Sequence, residues 1–156
     1  MKWKTIFVCL ASGLYLVSPH VVSETPKNWT VGELFKRVQY EQLLPVVEFC
    51  TSAQPSSRSY YNKVYQGFIE KVNIAVQPIA QQFGSDWQKS ISAQEAEKTL
   101  AVMTNFTRST LPQIEQLGAE NYCPNFAAKL DSTTAKDLSA TMSAAYKEYQ
   151  ARQQGK

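Results

Sequence analysis

The stretch SRSYYNKVYQGFIEKVNIAVQPIAQQF, residues 57–83, decides how the chain is read. Tyr61, Val64, Tyr65, Phe68, Val72, Ala75, Val76, Ile79 and Phe83 recur at steps of 3, 1, 3, 4, 3, 1, 3 and 4. Side chains three and four residues apart stack on one side of an α-helix, so these nine predict a single wide apolar face. Gly84 follows at the position that ends a helix. Pro78 near the last turn and a half predicts a bend.

Working outward, Ser92-Ala-Gln-Glu95 has the capping-box form, a hydroxyl at the cap and a carboxylate three residues on. The helix it opens should turn Ala96, Leu100, Met103, Phe106 and Thr110 inward. Pro112 should stop it and start a short last piece, with Gly118 as the end. Glu120–Pro124 reads as a loop. A fourth helical region follows from Asn125 to about Gln150, with an interruption at residues 131–134. Its inner stripe should be Ala135, Leu138, Met142, Ala145 and Tyr149, and residues 151–156 form a polar, frayed tail.

On the other side, Thr30-Val-Gly-Glu33 is a second capping box, with Val31, Leu34 and Val38 facing inward. Pro45 lacks an N–H and disfavours helical geometry at Leu44, which predicts a kink or a restart near residues 41–45. The piece after it, to about Ala53, carries Val46, Val47, Phe49 and Cys50. Alternating β-branched runs and Asn-Gly or Asp-Gly turns are absent, so no strand is expected. The fold class is all-α: an antiparallel four-helix bundle with proline-kinked helices and one disulfide. Pro45, Pro78 and Pro112 stand 33 and 34 residues apart, but their flanks share little, and bends fitted to a bundle explain them better than a repeat.

The N-terminus bears on compartment. Lys2 and Lys4 precede an apolar run, TIFVCLASGLYLV at residues 5–17, which Pro19 breaks before Val21-Val22-Ser23. That is the layout of a secretory signal peptide over residues 1–23, leaving residues 24–156 as a single helical domain in a secreted or periplasmic protein. The run falls short of the roughly 20 apolar residues of a comfortable membrane span, although an uncleaved anchor is the alternative. Cys9 is read as an apolar filler within the run. Cleavage leaves 14 basic residues against 13 acidic, a net charge of +1 in place of +3. With no basic run besides, nucleic acid is a poor candidate partner.

Cleavage also removes His20, the one histidine. Ser-His-Asp and Cys-His nucleophile pairs, and the usual zinc sets, are then out of reach, and neither cofactor nor metal is expected. Two cysteines remain, Cys50 and Cys123, with one intramolecular pairing between them. In an up-down-up-down bundle they reach the same end, the first at the close of helix one and the second at the opening of helix four. A redox or metal pair is the rival use, and it lacks the CxxC spacing.

Seven tyrosines survive cleavage, with Trp29 and Trp87, and such residues suit bundle cores and binding surfaces alike. Tyr60, Ile74 and Val102 fall off the predicted inner stripes and are candidates for an interaction surface. Glu95 and Glu97, two apart, point to different helix faces, and no carboxylate grouping announces catalysis. Asn28-Trp-Thr30 and Asn105-Phe-Thr107 match the N-glycosylation pattern, which carries meaning only in a eukaryote. The leading functional expectation is a non-enzymatic exported protein that binds a protein partner, as an inhibitor, immunity or accessory factor. A carrier of an apolar small molecule, held between kinked helices against Tyr65, Phe68, Met103 and Phe106, is the alternative. A carboxylate-dependent hydrolase comes third.

Overall fold

A computed structural model describes residues 29–154. The signal peptide expected at residues 1–23, Asn28, and the last two residues of the tail lie outside that range. In chain order the elements are β1 (Trp29–Thr30), α1 (Val31–Glu41), α2 (Leu44–Ala53), α3 (Arg58–Phe83), β2 (Ser90–Ile91), α4 (Ala93–Leu117), α5 (Ala119–Ser132) and α6 (Ala135–Gln154). Helix dominates, as the periodicity requires.

The hydroxyl half of both capping boxes forms. Thr30 Oγ1 accepts from Glu33 N at 3.0 Å, and Ser92 Oγ accepts from Glu95 N at 3.1 Å. A third cap went unread: Thr134 Oγ1 accepts from Asp137 N at 3.1 Å and donates to Asp137 Oδ2 at 2.6 Å. It restarts the chain as α6 where the sequence suggested an interruption. Pro45 sits in the first turn of α2, where its missing N–H would have had no helical partner anyway.

Several expectations need correcting. Pro112 does not interrupt α4, and the expected loop at Glu120–Pro124 is the opening of α5, with Pro124 inside the helix. Pro78, Pro112 and Pro124 are all exposed, as are Ile74, Arg108 and Glu120 four residues before them, so the carbonyl each proline deprives of a donor is open to solvent. Phe106, expected inward, is 69 % exposed. On α6 the buried stripe runs through Met142 and Tyr146, while Ala145 and Tyr149 face out. The tail continues as helix to Gln154, with Arg152 and Glu148 paired at 2.5 Å.

A strand pair is also present where none was expected. Trp29 pairs with Ile91 and Thr30 with Ser90, antiparallel. This short ladder governs helix placement. α1 leaves from one strand and α4 from the other, and the two helices pack side by side. α3 runs parallel to the α5–α6 segment: Lys71 Nζ donates to Asp131 O of α5 at 2.6 Å, Ser143 Oγ of α6 to Gln82 Oε1 at 3.0 Å, and Gln150 Nε2 of α6 to Asp86 Oδ2, just past α3, at 3.0 Å. α2 and α3 form the antiparallel pair that sequence neighbours usually make. Tyr61 donates to Gln54 at the end of α2, and Tyr65 Oη ties α3 to α1 by donating to Tyr40 O at 3.0 Å. α3 and α4, joined by the linker, are not among the extensively packed pairs. The linker crosses beneath the N-terminus of α1 instead.

That crossing completes α1. Val31 N donates to Lys89 O at 2.8 Å and Gly32 N to Trp87 O at 2.9 Å. With the Thr30 cap, three of the four N–H groups a helix start leaves open are satisfied. Trp87 then lies flat against α1, and a Cβ on Gly32 would fall 2.2 Å from its Nε1. Above it, Trp87, Phe35, Phe83 and Tyr146 close that end of the core, with ring centroids 4.6 to 6.0 Å apart. Edge-on and tilted pairs of this kind add about 0.5–1.5 kcal/mol each beyond buried area. At the other end Cys50, in the last turn of α2, is bonded to Cys123, in the second turn of α5, and both are buried.

Two outcomes check this architecture. Gly32→Ala gains helix propensity but drives a methyl group into a packed indole, so it should destabilise the protein by about 1–3 kcal/mol in a urea titration. Replacing Cys50 and Cys123 together by alanine should lower stability by about 4 kcal/mol, the chain-entropy value for a loop of this length. Intact near-ultraviolet dichroism below the unfolding transition would show that the fold itself survives.

Candidate functional site

The residues singled out as site candidates fall in separate places. Tyr60 and Ile74 are 50 % and 58 % exposed, fourteen residues apart on α3, roughly 21 Å along its axis. Val102, 59 % exposed, is on α4, away from both. Of the four residues expected around a cavity, Tyr65 and Phe68 lie in the core, Met103 is half-buried and Phe106 stands in solvent. They are not brought together. Asn105 is exposed on α4, its Oδ1 accepting from Arg108 at 3.4 Å.

One site that the described residues build is an apolar groove of about 270 Å³. Its floor is one face of α1: Val31, Leu34, Phe35 and Val38. Glu95, Thr99 and Met103 of α4 form one wall, Tyr149 of α6 stands opposite, and Ile91 of β2 closes one end. The groove follows from the placement of the helices. α4 packs on α1, α2 and α5 but does not pack extensively on α6, so the space between α4 and α6 leaves α1 partly uncovered. All four floor residues are half-buried.

Behind the floor lies a small second core of Trp29, Ala96 and Leu100, against which Leu34, Val38 and Ile91 pack. Trp29 is 1 % exposed, and its Nε1 has no partner among the described residues. The Arg37 guanidinium lies 4.7 Å from the centre of the Trp29 ring and is paired with Glu41. Both described tryptophans therefore sit just under the groove, Trp87 through its contact with Phe35 at 6.0 Å.

Sequence reasoning found parts of this groove without joining them. Leu34, Val38 and Met103 were placed on inner stripes, and Val102 was flagged as off-face. What was missed is the ladder, which turns α1 and α4 side by side. Two-residue strands leave no pattern to read, and the clue available was that Trp29, a large aromatic, stands in an otherwise polar lead-in.

Electrostatics gives the groove one charge. Among its lining residues only Glu95 is formally charged. The strongest shifts lie elsewhere, on phenols. Burial pushes Tyr65 well above the ordinary tyrosine range, with the Glu41 carboxylate adding to it. Burial also raises Tyr40, Tyr61, Tyr122 and Tyr146. No family model, curated protein or solved structure matches the chain.

The phenols set an alkaline limit. A raised pKa means that the fold holds the neutral phenol more tightly than the unfolded chain does. Stability is complete below the ordinary tyrosine pKa of about 10 and falls as pH rises beyond it. Absorbance at 295 nm should show these tyrosines ionising late, together with loss of helix. Tyr65→Phe should flatten that decline while costing about 1 kcal/mol at neutral pH through the lost bond to Tyr40 O.

Proposed function

We propose that this is an exported, non-enzymatic helical protein that binds a protein partner, as an inhibitor, immunity or accessory factor. The observation that supports it is the apolar surface around the α1–α4 groove. Met103 lines the groove, and Val102 and Phe106, on the same flank of α4, are 59 % and 69 % exposed. An aromatic ring left that far in solvent beside a ready-made apolar slot suits an interface centre, where buried aromatic and aliphatic anchors carry most of the energy. Export rests on the basic and apolar N-terminal run, and the Cys50–Cys123 bond is compatible with an oxidising compartment. The non-enzymatic part rests on the loss of the one histidine with the leader and on the absence of a carboxylate grouping in the sequence.

In this reading the helices act as one bundle of four rods, α1 with α2, α3, α4, and α5 with α6, bent at Pro45, Pro78 and Pro112. Divergence of α4 from α6 opens the slot. Carriage of an apolar small molecule is the weaker reading. The groove is open to solvent and, at about 270 Å³, falls below the roughly 300 Å³ at which ligand pockets begin, while a larger cleft of about 590 Å³ between α3 and α6 is open too and holds none of Tyr65, Phe68, Met103 and Phe106.

Chemical cross-linking of residues 24–156 in an extract of the protein's own compartment tests the proposal. Met103→Lys and Phe106→Asp should each cut capture of the partner more than tenfold, as loss of an anchor worth about 2 kcal/mol does. Ile74→Lys, on α3, should leave it intact. Capture that ignores the two α4 changes would move the binding surface elsewhere.

A further inference from the structure

We propose that the segment received by the groove is an amphipathic helix carrying a lysine or arginine that meets Glu95. This deepens the partner-binding reading and rests on it.

The shape comes first. Glu95, Thr99, Val102, Met103 and Phe106 step by 4, 3, 1 and 3, so they share one flank of α4. From Glu95 to Phe106 that flank runs about 16 Å at the helical rise of 1.5 Å per residue, close to three turns. The floor is a second helix packed against the first. A trough between two packed helices presents ridges and grooves that a third helix fills. Partners of this mode place apolar anchors at i, i+3 or i+4, and i+7.

Charge then selects the partner. Nearby acids are already matched: Glu33 pairs with Lys36 at 3.0 Å and Asp86 with Lys89 at 2.7 Å. The Glu95 carboxylate has no ion pair among the described residues and stands at the end of an otherwise apolar slot. An acidic helix would bring like charge against it, whereas a basic one completes it. With leader residues 1–23 removed the net charge is +1, so the molecule as a whole does not attract cations, and the preference is local to the slot.

The experiment uses residues 24–156 and two synthetic 18-residue helical peptides with the same leucine face, one with lysine and one with glutamate on the polar face. Binding is read by calorimetry and by Trp29 and Trp87 fluorescence. The native protein should bind the lysine peptide at least fivefold more tightly. Glu95→Gln should narrow that ratio by about threefold, in keeping with one exposed ion pair. Glu97→Gln, on the opposite side of α4, should not change it, and Met103→Lys should abolish binding of both peptides. Equal binding of the two peptides, binding of neither, or a ratio unmoved by Glu95→Gln overturns the proposal. So does a concentration-dependent dimer that Met103→Lys dissolves, which would make a second copy the occupant. Partner capture that needs Met103 while the peptide ratio ignores Glu95 would sink this inference alone; capture indifferent to Met103 would sink the reading beneath it.

Discussion

The N-terminus of α1 is where the structure is decided. A helix start leaves donors that must be satisfied, and here two of them are met by the carbonyls of Trp87 and Lys89, which arrive from a linker more than fifty residues away. Only a residue without a side chain lets the Trp87 ring come close enough, and Gly32 supplies it. The route that brings the linker there also prevents α3 and α4 from becoming neighbours. Once it passes under α1, α4 must rise beside α1, and α6 is left beside α3. The groove, the aromatic cluster around Tyr146 and the second small core around Trp29 all descend from that one junction.

The two ends of the molecule are held by different means. At one, Phe35, Phe83 and Trp87 interlock around Tyr146, which is 1 % exposed and donated by α6. At the other, a covalent bond ties α2 to α5. The aromatic end depends on shape, and a small change of side chain disturbs it.

How much of this was legible follows from how local each signal is. The α3 stripe was read in full because nine apolar residues repeat at one period. The caps at Thr30 and Ser92 were read because hydroxyl and carboxylate stand three apart. The break before Pro45 followed from the ring's own geometry. The disulfide followed from there being one way to pair two cysteines. The phase of α6 was misjudged because alanine and serine crowd that helix and give little contrast between faces, so Tyr149 was taken for the buried ring in place of Tyr146. Pro112 and Pro124 misled because an exposed carbonyl can lose its donor to water at small cost, a matter of exposure that the local sequence does not show. The groove was illegible for a different reason: its floor and wall lie sixty residues apart and meet only through the crossing.

That crossing also bears on how the chain reaches its fold. Helical bundles usually form quickly because their contacts are close in sequence. Here the ladder joins Trp29 to Ile91, Lys71 reaches Asp131, and the sulfurs close a span of 73 residues. Each such closure spends chain entropy before any apolar surface rewards it. The antiparallel hairpin of α2 and α3 is the one large unit that can assemble from near neighbours. It would nucleate first, with α4 and the linker docking late and the groove the last surface to take shape. Most contacts in the molecule are still local in sequence, so the helices themselves should form quickly and the docking of the linker is the step these long closures slow.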